Sequence, residues 1–201
     1  MEQISLQNII FAFFLFSCTG WIMESMQESI VRKQFISKGF FKGPYIPCHG
    51  IGGLSVVAIG SHFKDHPIVM FFLGLVLCTI VEYITAIFLE KCFKVKCWDY
   101  TTYPHTKWLQ FRGRICLTIS LFFGFITLFL VYFYWDFAVK LVQFFGDYVW
   151  IVNLALSVIF LIDAFITCAK IIRDNKEGIV ISGYAVFSVL RDSINTKIGR
   201  R

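Results

Sequence analysis

About five long apolar stretches run through the chain, and the connections between them are alternately rich in lysine and arginine and nearly free of both. Basic residues gather at Arg32, Lys33, Lys38 and Lys42, again at Lys91, Lys94, Lys96, Lys107, Arg112 and Arg114, and a third time in the C-terminal tail. The connections around Lys64 and Lys140 hold little positive charge. A bilayer retains short basic loops on its cytoplasmic side. The alternation therefore predicts an all-α, polytopic helical membrane protein of about five transmembrane helices, with the N-terminus outside and the C-terminus cytoplasmic. Crossing the hydrocarbon takes about 20 helical residues, which sets the predicted spans near residues 6–26, 45–59, 67–89, 115–135 and 148–172. They make one membrane domain, residues 1–172. In the tail, residues 173–201, Val180, Tyr184, Phe187, Ile194 and Ile198 recur at helical spacings, which predicts an interfacial helix on the inner leaflet.

Composition agrees with a lipid environment. Of 201 residues, 57% are hydrophobic and 16% charged, more apolar surface than one soluble core can hide. The net charge of +6 lies beside the ends of the spans, so topology and anionic headgroups account for it, and no nucleic-acid partner is expected. The acidic start Met1-Glu2-Gln3 argues against a cleaved signal peptide. Seven scattered cysteines, an odd number, do not form a disulfide framework. Cys92, Cys97, Cys116 and His105 lack paired metal-ligand spacing, so neither a metal nor a cofactor is expected. The sequence holds no phosphate-binding GxxxxGK[ST] and no Ser/His nucleophile motif.

Ionisable residues inside a span cost roughly 2.5 to 3.5 kcal/mol each and call for a reason. Glu24, Glu82, Glu90 and Asp163 are such residues. With the predicted topology Glu24, Glu82 and Glu90 lie toward the cytoplasmic side, where Arg112 and Arg114 open the fourth span. Glu82 and Glu90 are separated by about 80° beyond two helical turns, so they can share a flank. Trp21, Glu24, Glu82, Glu90, Asp99 and Arg114 are thus the candidate substrate-binding residues, with Asp99 a possible arginine partner. The alternative is that these charges only pin helices in register. Gly43, Pro44, Tyr45 and Pro47 punctuate a loop that could put irregular backbone at membrane depth, tolerated where protein buries it or water reaches it. Trp98 and Tyr100, with Gly113, read as a headgroup-level loop. His49 has no carboxylate in its own loop and reads as a polar loop residue.

At these residues the chain resembles a bacterial membrane family catalogued as ABC-transporter type IV, the CmpB-like family. The resemblance is carried by Gly20-Trp21 with Glu24, Gly39-Phe40, Gly43-Pro44-Tyr45 with Pro47 and Gly50-Ile51-Gly52, Glu82-Tyr83 with Leu89-Glu90, Trp98-Asp99-Tyr100, and Gly113-Arg114-Ile115-Cys116-Leu117 with Ser120 and Gly124. It runs from near Asn8 to near Trp135 and leaves the last span and the tail outside. The loop from Pro104 to Gly113, with Lys107 and Trp108, is longer than the family pattern. The resemblance implies a multi-pass protein of the bacterial cytoplasmic membrane and a permease subunit surrounded by membrane lipid. It also implies either a separate ATPase subunit or a homo-oligomer as partner. Two other readings stay open: an intramembrane enzyme acting on lipid or isoprenoid headgroups, and a membrane scaffold or sensor without catalysis.

Overall fold

A computed structural model describes residues 5–101 and 108–176. Tyr103, Pro104, His105 and Lys107 lie outside the described residues, as does the tail from residue 177 with its predicted interfacial helix. The elements are α1 (Leu6–Arg32), α2 (Pro47–Gly60), α3 (Pro67–Phe93), a short hairpin of β1 (Gln110–Phe111) and β2 (Ile115–Cys116), α4 (Leu117–Phe129), α5 (Trp135–Phe145) and α6 (Val149–Lys176). A π-helical turn, Leu130–Tyr134, joins α4 to α5.

Helix boundaries follow local chemistry. Ser5 caps α1, its Oγ accepting the Asn8 amide at 3.3 Å. Pro47 and Pro67 open α2 and α3, where proline's missing N–H leaves no helical bond unmade. Lys33 and Lys94 end α1 and α3 in the left-handed conformation, with φ of 53° and 54°. The next amides reach back, Gln34 N to Ser29 O and Val95 N to Leu89 O, which satisfies final-turn carbonyls. These stops lie beyond the predicted ends at residues 26 and 89, because the polar residues that leave the hydrocarbon are still good helix formers. At the other boundary α4 starts at Leu117, since Ile115 and Cys116 are taken by β2, a small strand that the all-α expectation did not contain.

Three helical stretches, Leu6–Val31, Pro67–Phe93 and Leu117–Asp174, are long and apolar enough to cross a membrane. The third, of 58 residues, doubles back at Gly146. Its first arm begins beside the middle of α3, where the Thr79 hydroxyl donates to Ser120 Oγ at 2.7 Å. Phe145 then packs on Phe11, and Asn153 in α6 donates to the Gln7 carbonyl at 3.0 Å. At the far end Ile171 joins Phe40, Leu89 and Val95 in one buried cluster. Helices α1, α3 and α6 therefore run one way and α2, α4 and α5 the other. The described parts of the connections after α1 and after α3 and the end of α6, which hold most of the basic residues among the described residues, share one end of the bundle.

Helix α2 has 14 residues and rises only about 21 Å, less than the roughly 30 Å of hydrocarbon. After Lys33 the chain turns back and lies extended along α1. Ile36 N donates to Ser29 Oγ at 2.9 Å, Lys38 N to Ser25 Oγ at 2.9 Å, the Trp21 indole to Ser37 Oγ at 3.1 Å, and Ile46 N to Ser17 O at 3.0 Å. The contacts descend α1 in order: Ser29, Ser25, Trp21, Ser17. Irregular backbone thus ends at Ile46, and Gly50 and Gly52 lie in α2, within the predicted stretch of residues 45–59. Gly50 meets Ser17 and Phe13, while Val57 packs with Ala12 and Phe16.

Candidate functional site

The site is assembled from two connections that α1, α3 and α6 hold in place. On the α6 side the anchor is Asp163. Its Oδ2 accepts the Gly43 amide at 2.8 Å and the Tyr45 hydroxyl, and its Oδ1 accepts the Lys42 amide at 3.3 Å and the Thr167 hydroxyl at 2.9 Å. Pro44 sits at the centre of a three-residue turn closed by Tyr45 N to Gly43 O at 2.9 Å. The Tyr45 ring folds over Gly43 so closely that a Cβ there would lie 2.2 Å from it. One carboxylate in the last helix therefore gathers the Gly43-Pro44-Tyr45 segment, and Pro47 starts α2 directly after it.

On the other side Trp98-Asp99-Tyr100 fastens the hairpin to α3. The Trp98 indole donates to Arg114 O at 2.8 Å, and the Tyr100 amide donates to Gly113 O at 2.9 Å. Asp99 Oδ2 accepts the Lys96 ammonium at 2.6 Å, and its Oδ1 accepts the Thr101 amide at 2.9 Å and hydroxyl at 2.7 Å. Partial burial opposes the charge on Asp99. The Lys96 and Thr101 bonds outweigh it and hold the carboxyl below its ordinary range. The stability this carboxylate contributes is therefore complete above the unfolded value of about 3.9 and is lost as the pH falls through the lower folded value. The hairpin turn needs glycine: Arg112 and Gly113 both have positive φ, 53° and 70°, and a Cβ on Gly113 would lie 2.5 Å from Asp99 Oδ1.

Between these anchors lie two pairs, Glu24 of α1 with His49 of α2 and Glu82 of α3 with Tyr100, and the Glu24 carboxylate is within electrostatic reach of the second pair. The Tyr100 hydroxyl donates to Glu82 Oε1 at 2.6 Å. Glu82 is 7% exposed, and its Oε2 is buried with no hydrogen-bond partner among the described residues. Burial, reinforced by the carboxylates of Glu82 and Glu24, holds the Tyr100 phenol protonated far above its ordinary value, so it remains the donor. The imidazole of His49 lies against Gly20, where a Cβ would be 2.3 Å from the ring. Its Nε2 is 3.4 Å from Glu24 Oε1, an ion-pair distance when the ring is protonated, and its Nδ1 is buried without a partner among the described residues. Cys97 belongs to the same neighbourhood, since burial and the Glu24 carboxylate push its thiol up to about 12 against the pull of Lys38.

The candidate residues separate into two groups. Glu24 and Glu82 lie in the junction with Tyr100. Glu90 and Arg114 form a second pair, about 12 Å farther along α3 by helical rise. There Arg114 Nε donates to both Glu90 oxygens at 3.1 Å and Nη2 to Oε2 at 2.5 Å, with the guanidinium over the Tyr83 ring at 5.9 Å. Arg114 thus takes Glu90, and Asp99 takes Lys96 where an arginine was the expected partner. Trp21 binds the returning connection through Ser37. Sequence reasoning missed His49, whose partner lies on α1. The available signal was Gly20, one turn before Glu24, which leaves a flat place for a ring. A lysine at position 114 keeps the charge but loses the planar fork. Arg114→Lys should therefore lower the melting temperature of the detergent-solubilised protein. The exchanged pair Glu90→Arg with Arg114→Glu should recover more than the two single variants predict by addition.

A family model described as Putative ABC-transporter type IV matches residues 11–168. The match extends past Trp135, where the residue-level resemblance ends, and takes in most of α6 with Asp163. The hydrogen bonds from Gly43 and Tyr45 to Asp163 give a physical reason for the last helix to belong to the same unit. Comparisons with curated proteins and with solved structures yield no match.

Proposed function

The chain belongs to the family described as Putative ABC-transporter type IV, and on that premise we propose that it is the membrane-embedded, permease-type subunit of a transporter energised by a separate ATPase. The sequence holds no P-loop, so nucleotide hydrolysis falls to another chain. In this reading the basic end of the bundle faces the cytoplasm and the N-terminus lies outside. The polypeptide crosses five times: through α1, through α2 continued by residues 34–46, through α3, through α4 with its π-helical turn, and through α6. The substrate path opens toward the cytoplasmic leaflet at the junction of Glu24 and Glu82.

One observation carries the reading: a carboxylate, Glu82, is buried where three helices and a folded connection meet, and no cation pairs with it among the described residues. A charge that only positioned helices would be neutralised, as Glu90 is by Arg114 and Asp99 by Lys96. The enzyme reading has Arg112 or Arg114 hold a phosphate, and Glu90 already occupies the Arg114 fork, which leaves that role to Arg112. Gentle purification from the native host is expected to bring down an ATPase subunit in fixed stoichiometry. Glu82→Gln, which keeps the bond from Tyr100, should abolish transport while yield and melting temperature stay near wild type. Recovery of a single enriched lipid with no protein partner, or full transport by the variant, would refute the assignment.

A further inference from the structure

Glu82 and His49 present a chemical asymmetry. Tyr100 satisfies Glu82 Oε1, and with the carboxyl ionised the buried Oε2 is an acceptor with no donor among the described residues. With the ring hydrogen of His49 on Nε2, facing Glu24, the buried Nδ1 is likewise an acceptor with no donor. Two orphaned acceptors thus lie in a junction with two carboxylates, and Glu24 is within electrostatic reach of Glu82. Lys38 pairs with Glu28 at 3.6 Å. Exposure is graded through the site: the Glu24 side chain is 38% exposed, that of His49 26%, and Glu82 as a residue only 7%. An entering group therefore meets Glu24 first and Glu82 last. A buried acceptor left unpaired is costly, so a ligand that brings N–H donors and positive charge gains on both counts.

We propose that the junction of Glu24, His49, Glu82 and Tyr100 binds a small organic cation with N–H donors, of the primary-ammonium class. One N–H points to Glu82 Oε2 and another to His49 Nδ1, while Glu24 supplies charge at the rim. The proposal names the substrate class of the transport site and rests on the transport reading only for the cation's route. Binding itself needs no ATPase and no vesicle.

The test is equilibrium binding of radiolabelled methylammonium to the purified, detergent-solubilised protein at mildly alkaline pH. Saturable binding is expected, displaced by unlabelled ethylammonium and not by tetramethylammonium, which carries the same charge without N–H donors. Glu82→Gln should weaken binding at least tenfold and His49→Phe by a comparable factor. Asp136→Asn, an exposed site at the opposite end, should bind as wild type. Thermal unfolding of each variant identifies any that fail to fold. Absence of saturable binding, equal displacement by tetramethylammonium or sodium, or wild-type affinity in a folded Glu82→Gln protein would each overturn the proposal. Those outcomes leave the ATPase association to its own experiment, so the two readings fail separately.

Discussion

Replacing Asp163 with asparagine is expected to destabilise the protein by about 3 kcal/mol, nearly as much as replacing it with alanine, although the side chains are almost isosteric. All four partners of this carboxylate approach as donors: the amides of Lys42 and Gly43 and the hydroxyls of Tyr45 and Thr167. Each oxygen receives one backbone amide. An asparagine must turn its NH2 toward one of those amides, and a backbone N–H cannot reverse its role as a hydroxyl can. One bond becomes a donor–donor contact and the rest lose their charge assistance. Thermal unfolding of both variants in the same detergent checks the magnitude. Limited proteolysis checks the location, because cleavage should appear first between residues 34 and 46. An asparagine variant as stable as wild type would show that Asp163 does not fasten the connection.

Gly74→Val should have a comparable effect through packing. A Cβ at Gly74 would stand 1.9 Å from Thr127 Oγ1 and 2.4 Å from Thr127 Cβ, and Thr127 is 2% exposed. Threonine is stiff about χ1 and has no room to turn away. Overpacking typically costs about 1 to 3 kcal/mol, and the upper end applies where two helix backbones must separate. Between apolar helices in lipid, close approach is the main source of association, so the loss falls on the contact that joins α3 to α4. The variant is expected to lose its monodisperse peak in size-exclusion chromatography. Gly74→Ala combined with Thr127→Gly, which returns a single Cβ to the interface, should restore the peak. A monodisperse Gly74→Val protein with unchanged melting temperature would refute the packing argument.

Residues that act through a neighbour in sequence were legible, and those that act across the fold were not. The apolar runs located α1, α3 and α6, and Pro47 and Pro67 marked two helix starts. The cost of burying Asp163 was readable, but three of its four partners lie about 120 positions away and leave no local trace. The same holds for the return of residues 34–46, which depends on serine hydroxyls of α1 that resemble any serine in a helix. Lys96 and Asp99 are three residues apart, and that spacing was the better guide to the partner of Asp99 than its proximity to the arginines. The split between Glu82 and Glu90 follows from helical rise. Rotation allowed both carboxylates on one flank, whereas about 12 Å of axial separation assigns them to different neighbours.

The shortness of α2 bears on how the protein is made. A segment of 14 residues is too brief for the insertion machinery to sort into lipid by hydrophobicity alone. In the proposed arrangement its entry is decided by contacts rather than by partitioning: Gly50 and Gly53 close against α1, and Gly60 against Met70 of α3. A nascent chain that has released only α1 and α2 holds the two contacts with α1 and lacks the one with α3. The second crossing therefore becomes permanent only when α3 emerges, so topology and tertiary folding are a single event during synthesis.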